Sequence, residues 1–286
     1  MPSLPRPGLP FLLRSLAVAA LTLLTACAGE APDAAPSKLV ITGSSTIAPV
    51  ISDIARRFES EHPGTRVDVQ TGGSSRGLAD VRQGLADLGM VSRAPKDGED
   101  DLQWHALARD GLALIVHADN PASALREEQV RAIFTGAIDT WAQLGDELST
   151  FDEPITVVSK AEGRSTLEVF LDHFELTAPE IAADVIIGDN QQGIKTVVGN
   201  PYAIAYVSIG TAEFEASQGT PIQLLDLGTI TASTDAVRRG DYPIARTLHL
   251  VTADEPEGLA LTLLDYARSA AVADLIEGQF FVPLAP

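Results

Sequence analysis

The chain has a single cysteine, Cys27, among 286 residues, so no disulfide can close within it. Patterns of the form H-E-x-x-H or G-x-x-x-x-G-K-[ST] are missing, and the five histidines, at 62, 105, 117, 173 and 249, show no metal-ligand spacing. The usual zinc and nucleotide signatures are thereby removed, and no catalytic residue, metal or cofactor is expected. Positive charge is scarce too: 20 Lys and Arg against 39 Asp and Glu give a net charge of −19. Nucleic acid requires a basic face, so it is excluded as a partner. A small anion is not excluded, because a few donors in a cleft act locally while remote charges are screened beyond about 8–10 Å.

What is present begins with a leader. Arg6 and Arg14 flank the apolar run "SLAVAALTLLTA", which is too short to cross a bilayer and reads as an export signal over residues 1–26. The run ends in Leu24-Thr25-Ala26-Cys27, which resembles the bacterial lipobox and makes Cys27 the expected lipidation site. Acyl chains anchor a protein through roughly 0.8 kcal/mol per buried methylene. Residues 27–37, rich in Ala and Pro, read as a flexible tether. Removal of the leader takes the net charge to −21.

Three strand–turn–helix units follow. "KLVIT" (38–42) leads through Gly43-Ser44-Ser45-Thr46 to Ile47, Val50, Ile51, Ile54 and Phe58 at helical spacing, with Pro49 in the first turn. "RVDVQT" (66–71) leads through Gly72-Gly73-Ser74-Ser75 to Leu78, Val81 and Leu85. "PITVVS" (154–159) leads through "KAEGRST" to Leu167, Phe170, Leu171 and Phe174. Each turn places hydroxyls and glycines at a helix start, where unpaired N–H groups and the helix dipole attract anions. Ser165-x-x-Glu168 also has the form of a capping box, which by itself would account for Ser165. Lys160 and Arg164 stand at that same positive helix end, a conflict that an anion held between them would remove.

The segments "GSSTIAP", "GGSSRGLADVRQGLADLGMVSR" and "SKAEGRST", in this order after a lipobox, resemble the phosphate-binding proteins of bacterial phosphate ABC transporters. "GNPYAIAYVSIG" and "GDYPIARTLHLVT" are similar to that family's connecting segments. The resemblance runs from about residue 38 to the end. It implies an α/β, two-lobed, type II periplasmic-binding-protein fold, with a ligand cleft between lobes joined by two hinge strands. Lobe I would comprise residues 38–117 and 244–286, and lobe II residues 118–243. "LALIVHA" and "RTLHLVT" are apolar enough to be the crossing strands.

By motif, phosphate would be held by Ser45 and Thr46, by Ser74, and by Arg164, Ser165 and Thr166. In the third loop the family commonly reads arginine, two residues, then Gly-Ser-Gly-Thr. Here lysine replaces the arginine and Arg164 stands in place of a serine, so either cation could touch the ligand. Arg164, with its planar fork, is the favoured one, with Lys160 paired to Glu162. Arg76 and Arg93 are further candidates for the cleft. Asp87 matches the family's cleft aspartate and would accept the proton that phosphate keeps and sulfate lacks.

The implied partners are inorganic phosphate, an ABC permease, and a membrane reached through the lipid anchor, with the chain acting as a monomer at the extracytoplasmic face or in the periplasm. Two alternatives stand beside this reading. One is the same fold taking sulfate, molybdate or tungstate; the other is a surface sensing or adhesion lipoprotein, to which the tripeptide Arg239-Gly240-Asp241 would belong.

Overall fold

The computed structural model describes residues 37–284, together with Ser3. The rest of the leader, Cys27 and all but the last tether residue lie outside the described residues. Ser37, expected to end the tether, instead begins the first strand and pairs with Thr65.

The elements follow in chain order. β1 (Ser37–Gly43), α1 (Ala48–Glu61), β2 (Thr65–Thr71), α2 (Ser74–Arg82), β3 (Leu88–Val91) and β4 (Gln103–His117) come first. Then come β5 (Ala124–Leu125), α3 (Glu127–Phe134), β6 (Thr156–Lys160), α4 (Ser165–His173), β7 (Val185–Ile187) and α5 (Asn190–Gly199). The chain continues with β8 (Ala203–Ser208), α6 (Ile209–Ser217), β9 (Ile222–Leu227), α7 (Thr234–Arg239), β10 (Ala245–Thr252), α8 (Gly258–Ala267), α9 (Ala273–Gly278) and β11 (Val282–Pro283). All three strand–turn–helix units expected from periodicity are present, although α2 ends at Arg82, so Leu85, expected on its apolar face, lies beyond the helix and is exposed. Pro49 sits in the first turn of α1, where its missing N–H costs little.

The strands form two sheets that share one long member. β2, β1, β3, β10 and β4 are neighbours in that order, and β4 continues to β8, β6 and β7. The first part of β4, Gln103 to Gly111, pairs antiparallel with β10; its last part, Leu112 to His117, pairs with β8 and β9. One strand of 15 residues therefore runs from one lobe into the other. Within the lobes, β1 is parallel to β2 and β3, and β6 is parallel to β7 and β8, as crossover helices require.

Each sheet is covered on both faces. In the first lobe, Ile41, Leu88 and Leu250 join α1 residues such as Ile51 and Phe58, while Val91 and Val251 meet Leu78 and Val81 of α2 on the other face. In the second lobe, Phe134, Trp141, Phe170 and Tyr206 fill one side, and Val158, Ile187, Ile194 and Val207 the other. Sandwiching of this kind explains why the inner strands β3 and β8 are buried along their whole length rather than at alternate positions. It also sends every parallel strand's C-terminal end, and the helix start that follows it, toward the same edge of its sheet.

Candidate functional site

Four such ends converge on one narrow pocket. Its walls carry Ser44, Ser45 and Thr46 from the turn before α1, and Gly73 and Ser74 from the turn before α2. They also carry Lys160, Arg164, Ser165 and Thr166 around the start of α4, Gly188 and Asp189 before α5, and Ser92 just after β3. The fourth turn, Gly188-Asp189-Asn190, was not singled out by sequence. Asp189 caps α5 by accepting from the Gln192 N–H at 2.8 Å.

Backbone bonds lock the turns to one another. The Gly43 carbonyl accepts from both Gly72 and Gly73 N–H at 2.9 Å, and Ser44 N–H donates to the Met90 carbonyl at 2.8 Å. Across the cleft, Ser75 N–H donates to the Gly163 carbonyl at 3.3 Å, and Asn190 Nδ2 donates to Thr46 Oγ1 at 3.2 Å. The two lobes thus meet at the pocket itself.

Ser44 Oγ donates to Ser92 Oγ at 2.9 Å, but three other hydroxyls there share one polarity. Thr46 Oγ1 accepts from Asn190, Thr166 Oγ1 accepts from Arg246 Nη1 at 3.0 Å, and Ser74 Oγ accepts from Ser92 N–H at 3.3 Å. A hydroxyl whose lone pairs already receive donors still has its own proton to give. No described group accepts those three protons, and Ser165 Oγ is buried with no partner at all. Leaving such groups unmade costs about 1–3 kcal/mol each. The pocket asks for a ligand made of acceptors.

Electrostatics points the same way. Lys160 is 3% exposed and donates to Asn190 Oδ1 at 3.0 Å. Burial, with the Arg246 and Arg164 cations nearby, brings its pKa down to about 7 against the opposing pull of Asp189. Arg164 is half-buried at the N-cap of α4, and its guanidinium makes no hydrogen bond or ion pair with any other described residue. Two cations at the positive end of a helix, one without a partner and one held close to neutrality, are an arrangement that an anion would relieve.

Several expectations fail. Asp87 is exposed at the start of β3, the far end of that strand from Ser92, where its carboxylate accepts from Val40 N–H at 2.7 Å. A four-residue strand spans about 13 Å, so Asp87 cannot reach the pocket. Arg76 lies on the solvent side of α2, with Asp80 at 3.1 Å and the Thr71 carbonyl at 3.3 Å. Arg93 is buried and committed to Glu99 and Glu168, both at 2.7 Å. The Ser165-x-x-Glu168 pattern does not form a capping box: Ser165 is the first helical residue, and Glu168 instead forms ion pairs with Arg93 and Lys96. Lys160 pairs with Asn190 rather than Glu162.

Sequence reasoning also missed a buried pair behind the pocket, Arg246 with Asp110, at 2.7 Å. Its signal was a charged residue inside each of two apolar strands. Residues 73–77, Gly-Ser-Ser-Arg-Gly, fit the G-x-S-x-G nucleophile pattern as well. There the central Ser75 is exposed and hydrogen-bonds no histidine or carboxylate, so the pattern lacks the partners that activate a serine. A larger cavity of ≈ 600 Å³ opens nearby, but its Arg93, Lys96 and Arg246 already face carboxylates.

Among the described residues no group of three or more His, Cys, Asp or Glu is placed to hold a metal, and no helix is long and apolar enough to cross a membrane.

Known proteins share this architecture. The phosphate-binding protein PstS of Bacillus subtilis (strain 168) is 29% identical over 256 residues, which covers 87% of this chain and 82% of that one. A crystal structure from Clostridium perfringens, assigned as a phosphate ABC transporter substrate-binding protein and holding bound phosphate, superimposes with a TM-score of 0.79 at 26% identity, over 87% of this chain and all of that one. An ABC-type phosphate transport receptor from Vibrio cholerae has the same fold, with a TM-score of 0.69 at 24% identity over 86% of this chain and 100% of the other. The family model of the PBP superfamily domain matches residues 28–271, and with two α/β lobes closing on a donor-lined pocket, the chain belongs to that superfamily of two-lobed binding proteins.

Proposed function

We propose that this protein captures inorganic phosphate in the interlobe pocket and delivers it to an ABC permease. The observation that carries the reading is the Ser165 hydroxyl, buried without a partner at the N-terminus of α4 in a pocket where the Thr46, Ser74 and Thr166 hydroxyls are left with protons to donate. Ser45, Thr46, Ser74, Arg164, Ser165 and Thr166 line that pocket with Lys160. In this reading they supply the donors, and both cations face the ligand. Lobe I is residues 38–117 with 244–286, lobe II is residues 118–243, and β4 and β10 carry the chain between them. The names of the Bacillus and Clostridium relatives support phosphate as the ligand.

Equilibrium binding of radiolabelled phosphate to the purified protein tests this. Saturable binding is expected; its absence at millimolar phosphate overturns it. Donor polarity alone serves sulfate as well as phosphate, so unlabelled sulfate, molybdate and tungstate belong in the same assay as competitors. Export and lipidation at Cys27 complete the proposal and place the protein on the extracytoplasmic face of a membrane, as a monomer. Cys27→Ser should abolish membrane partitioning while leaving phosphate binding intact, and a fully membrane-bound Ser variant would refute the anchor.

A further inference from the structure

Arg246, near the start of β10, is buried and lies behind the pocket rather than on its wall. Its guanidinium has five N–H donors, and the structure commits all five. Nε and Nη2 donate to Asp110 Oδ2 at 3.0 and 2.7 Å. Nη1 donates to the Ser92 carbonyl at 3.3 Å and to Thr166 Oγ1 at 3.0 Å. The remaining Nη2 donor reaches Thr46 Oγ1 at 3.5 Å, the outer limit of such a bond. Asp110 is fixed in turn, because Ser208 Oγ and Gly210 N–H donate to its Oδ1 at 2.9 and 3.2 Å.

No N–H of Arg246 is left for a ligand, although its charge sits beside one. We propose that Arg246 is a positioning residue that orients the hydroxyls of Thr166 and Thr46, one from each lobe, so that both protons point at the bound oxyanion. The proposal rests on the phosphate reading of the site. The chemistry is one of polarity: an N–H donated into a threonine oxygen occupies one of its two lone pairs and holds the side-chain rotamer, while the O–H stays free to donate. Because Arg246 grips segments of both lobes, it makes these contacts together when the lobes are closed. A buried ion pair kept for stability alone would not need the two threonines.

A double-mutant cycle separates these roles. Phosphate affinity and thermal stability are measured by calorimetry for wild type, Arg246→Lys, Thr166→Val and the double variant. Lysine keeps the charge but lacks the fork. Each single change should weaken binding on the order of tenfold, and the double should be no weaker than the worse single. Additive losses, or an Arg246→Lys variant that binds as wild type, overturn the proposal.

A ligand-free measurement keeps the test decisive should Arg246→Lys fail to fold. Three-bond methyl couplings of Thr46 and Thr166 in the wild-type protein should each report a single χ1 rotamer, and averaged couplings overturn the positioning role. A wild type that binds no phosphate yet shows fixed rotamers would refute the phosphate reading and leave the positioning role supported.

Discussion

The Lys160 ammonium lies 3.0 Å from Asn190 Oδ1, the single acceptor it reaches among the described residues. A buried lysine without a carboxylate partner gives up its proton readily, and its pKa of about 7 lies below the ordinary 10.5. The sign follows from linkage. Between these two values the unfolded chain holds the proton and the folded chain does not, so stability rises with pH across about pH 7 to 10.5. Below that window both states are protonated and the cost of burying the charge is felt in full. Denaturant unfolding of ligand-free protein should show this slope, and Lys160→Met should flatten it. Equal slopes in the two proteins would mean that Lys160 titrates normally. Saturating phosphate should also reduce the slope, because a nearby anion favours the charged lysine.

Asp189 is the one carboxylate on the pocket wall, and its second oxygen receives no donor from any described residue. An ionised carboxylate can only accept, so it favours an oxyanion that still carries a proton. Asp189→Asn keeps a good helix cap while removing the charge. It should raise sulfate binding relative to phosphate by roughly ten- to a hundredfold, the worth of about 1.5–3 kcal/mol. Asp87→Asn, in contrast, should leave the ratio unchanged. Competition calorimetry with both variants decides the matter, and a ratio moved by Asp87→Asn alone would reverse the assignment.

The difference between these two aspartates shows what was legible in the sequence. Turns, hydroxyls and helix starts are local features, and periodicity located all three expected units, including the loop from Lys160 to Thr166. The direction in which Asp87 points depends on which end of β3 it occupies, and the motif "LADLG" does not encode that end. Asp110 and Arg246 are 136 residues apart, and each looks like a charge stranded in an apolar strand until the antiparallel register of β4 and β10 pairs them. Capping of α4 failed as a reading for a similar reason. A long-range partner, Arg93, claims the Glu168 side chain that a local capping box would use. Interlobe contacts were the least legible feature, since no single segment contains both partners.

That Glu168 contact yields its own prediction. Glu168 Oε2, on the second lobe, lies 2.7 Å from Arg93 Nε and 2.6 Å from Lys96 Nζ, both on the first. The Arg93 and Glu168 side chains are 6% and 18% exposed, so solvent screens this clasp only weakly. Glu168→Gln preserves shape but removes the charge that both cations share, while Arg93 keeps Glu99 and the first lobe stays intact. The closed form should lose stability, and phosphate release in stopped-flow should quicken on the order of tenfold. An unchanged release rate would show that the clasp is incidental to closure.

Gly73 sets how tightly the lobes can close. Its φ of +94° and ψ of 159° fall in a region essentially restricted to glycine, where a side chain costs about 1–3 kcal/mol. A Cβ added there would come within 2.8 Å of Arg164 Cδ and 2.8 Å of the Gly163 carbonyl oxygen, both on the opposite lobe. Local strain alone would lower stability equally in the open and closed forms, whereas the interlobe clash acts on the closed form. Gly73→Ala should therefore lose phosphate affinity by a larger factor than its loss of ligand-free stability explains. Small-angle scattering at saturating phosphate should give a larger radius of gyration than wild type. Arg164→Ala in the same background relieves only the contact to Cδ, so the Gly163 carbonyl should still keep the lobes apart. A Gly73→Ala variant that closes to the wild-type radius would place the mutual approach of Gly73 and Arg164 outside the closing mechanism.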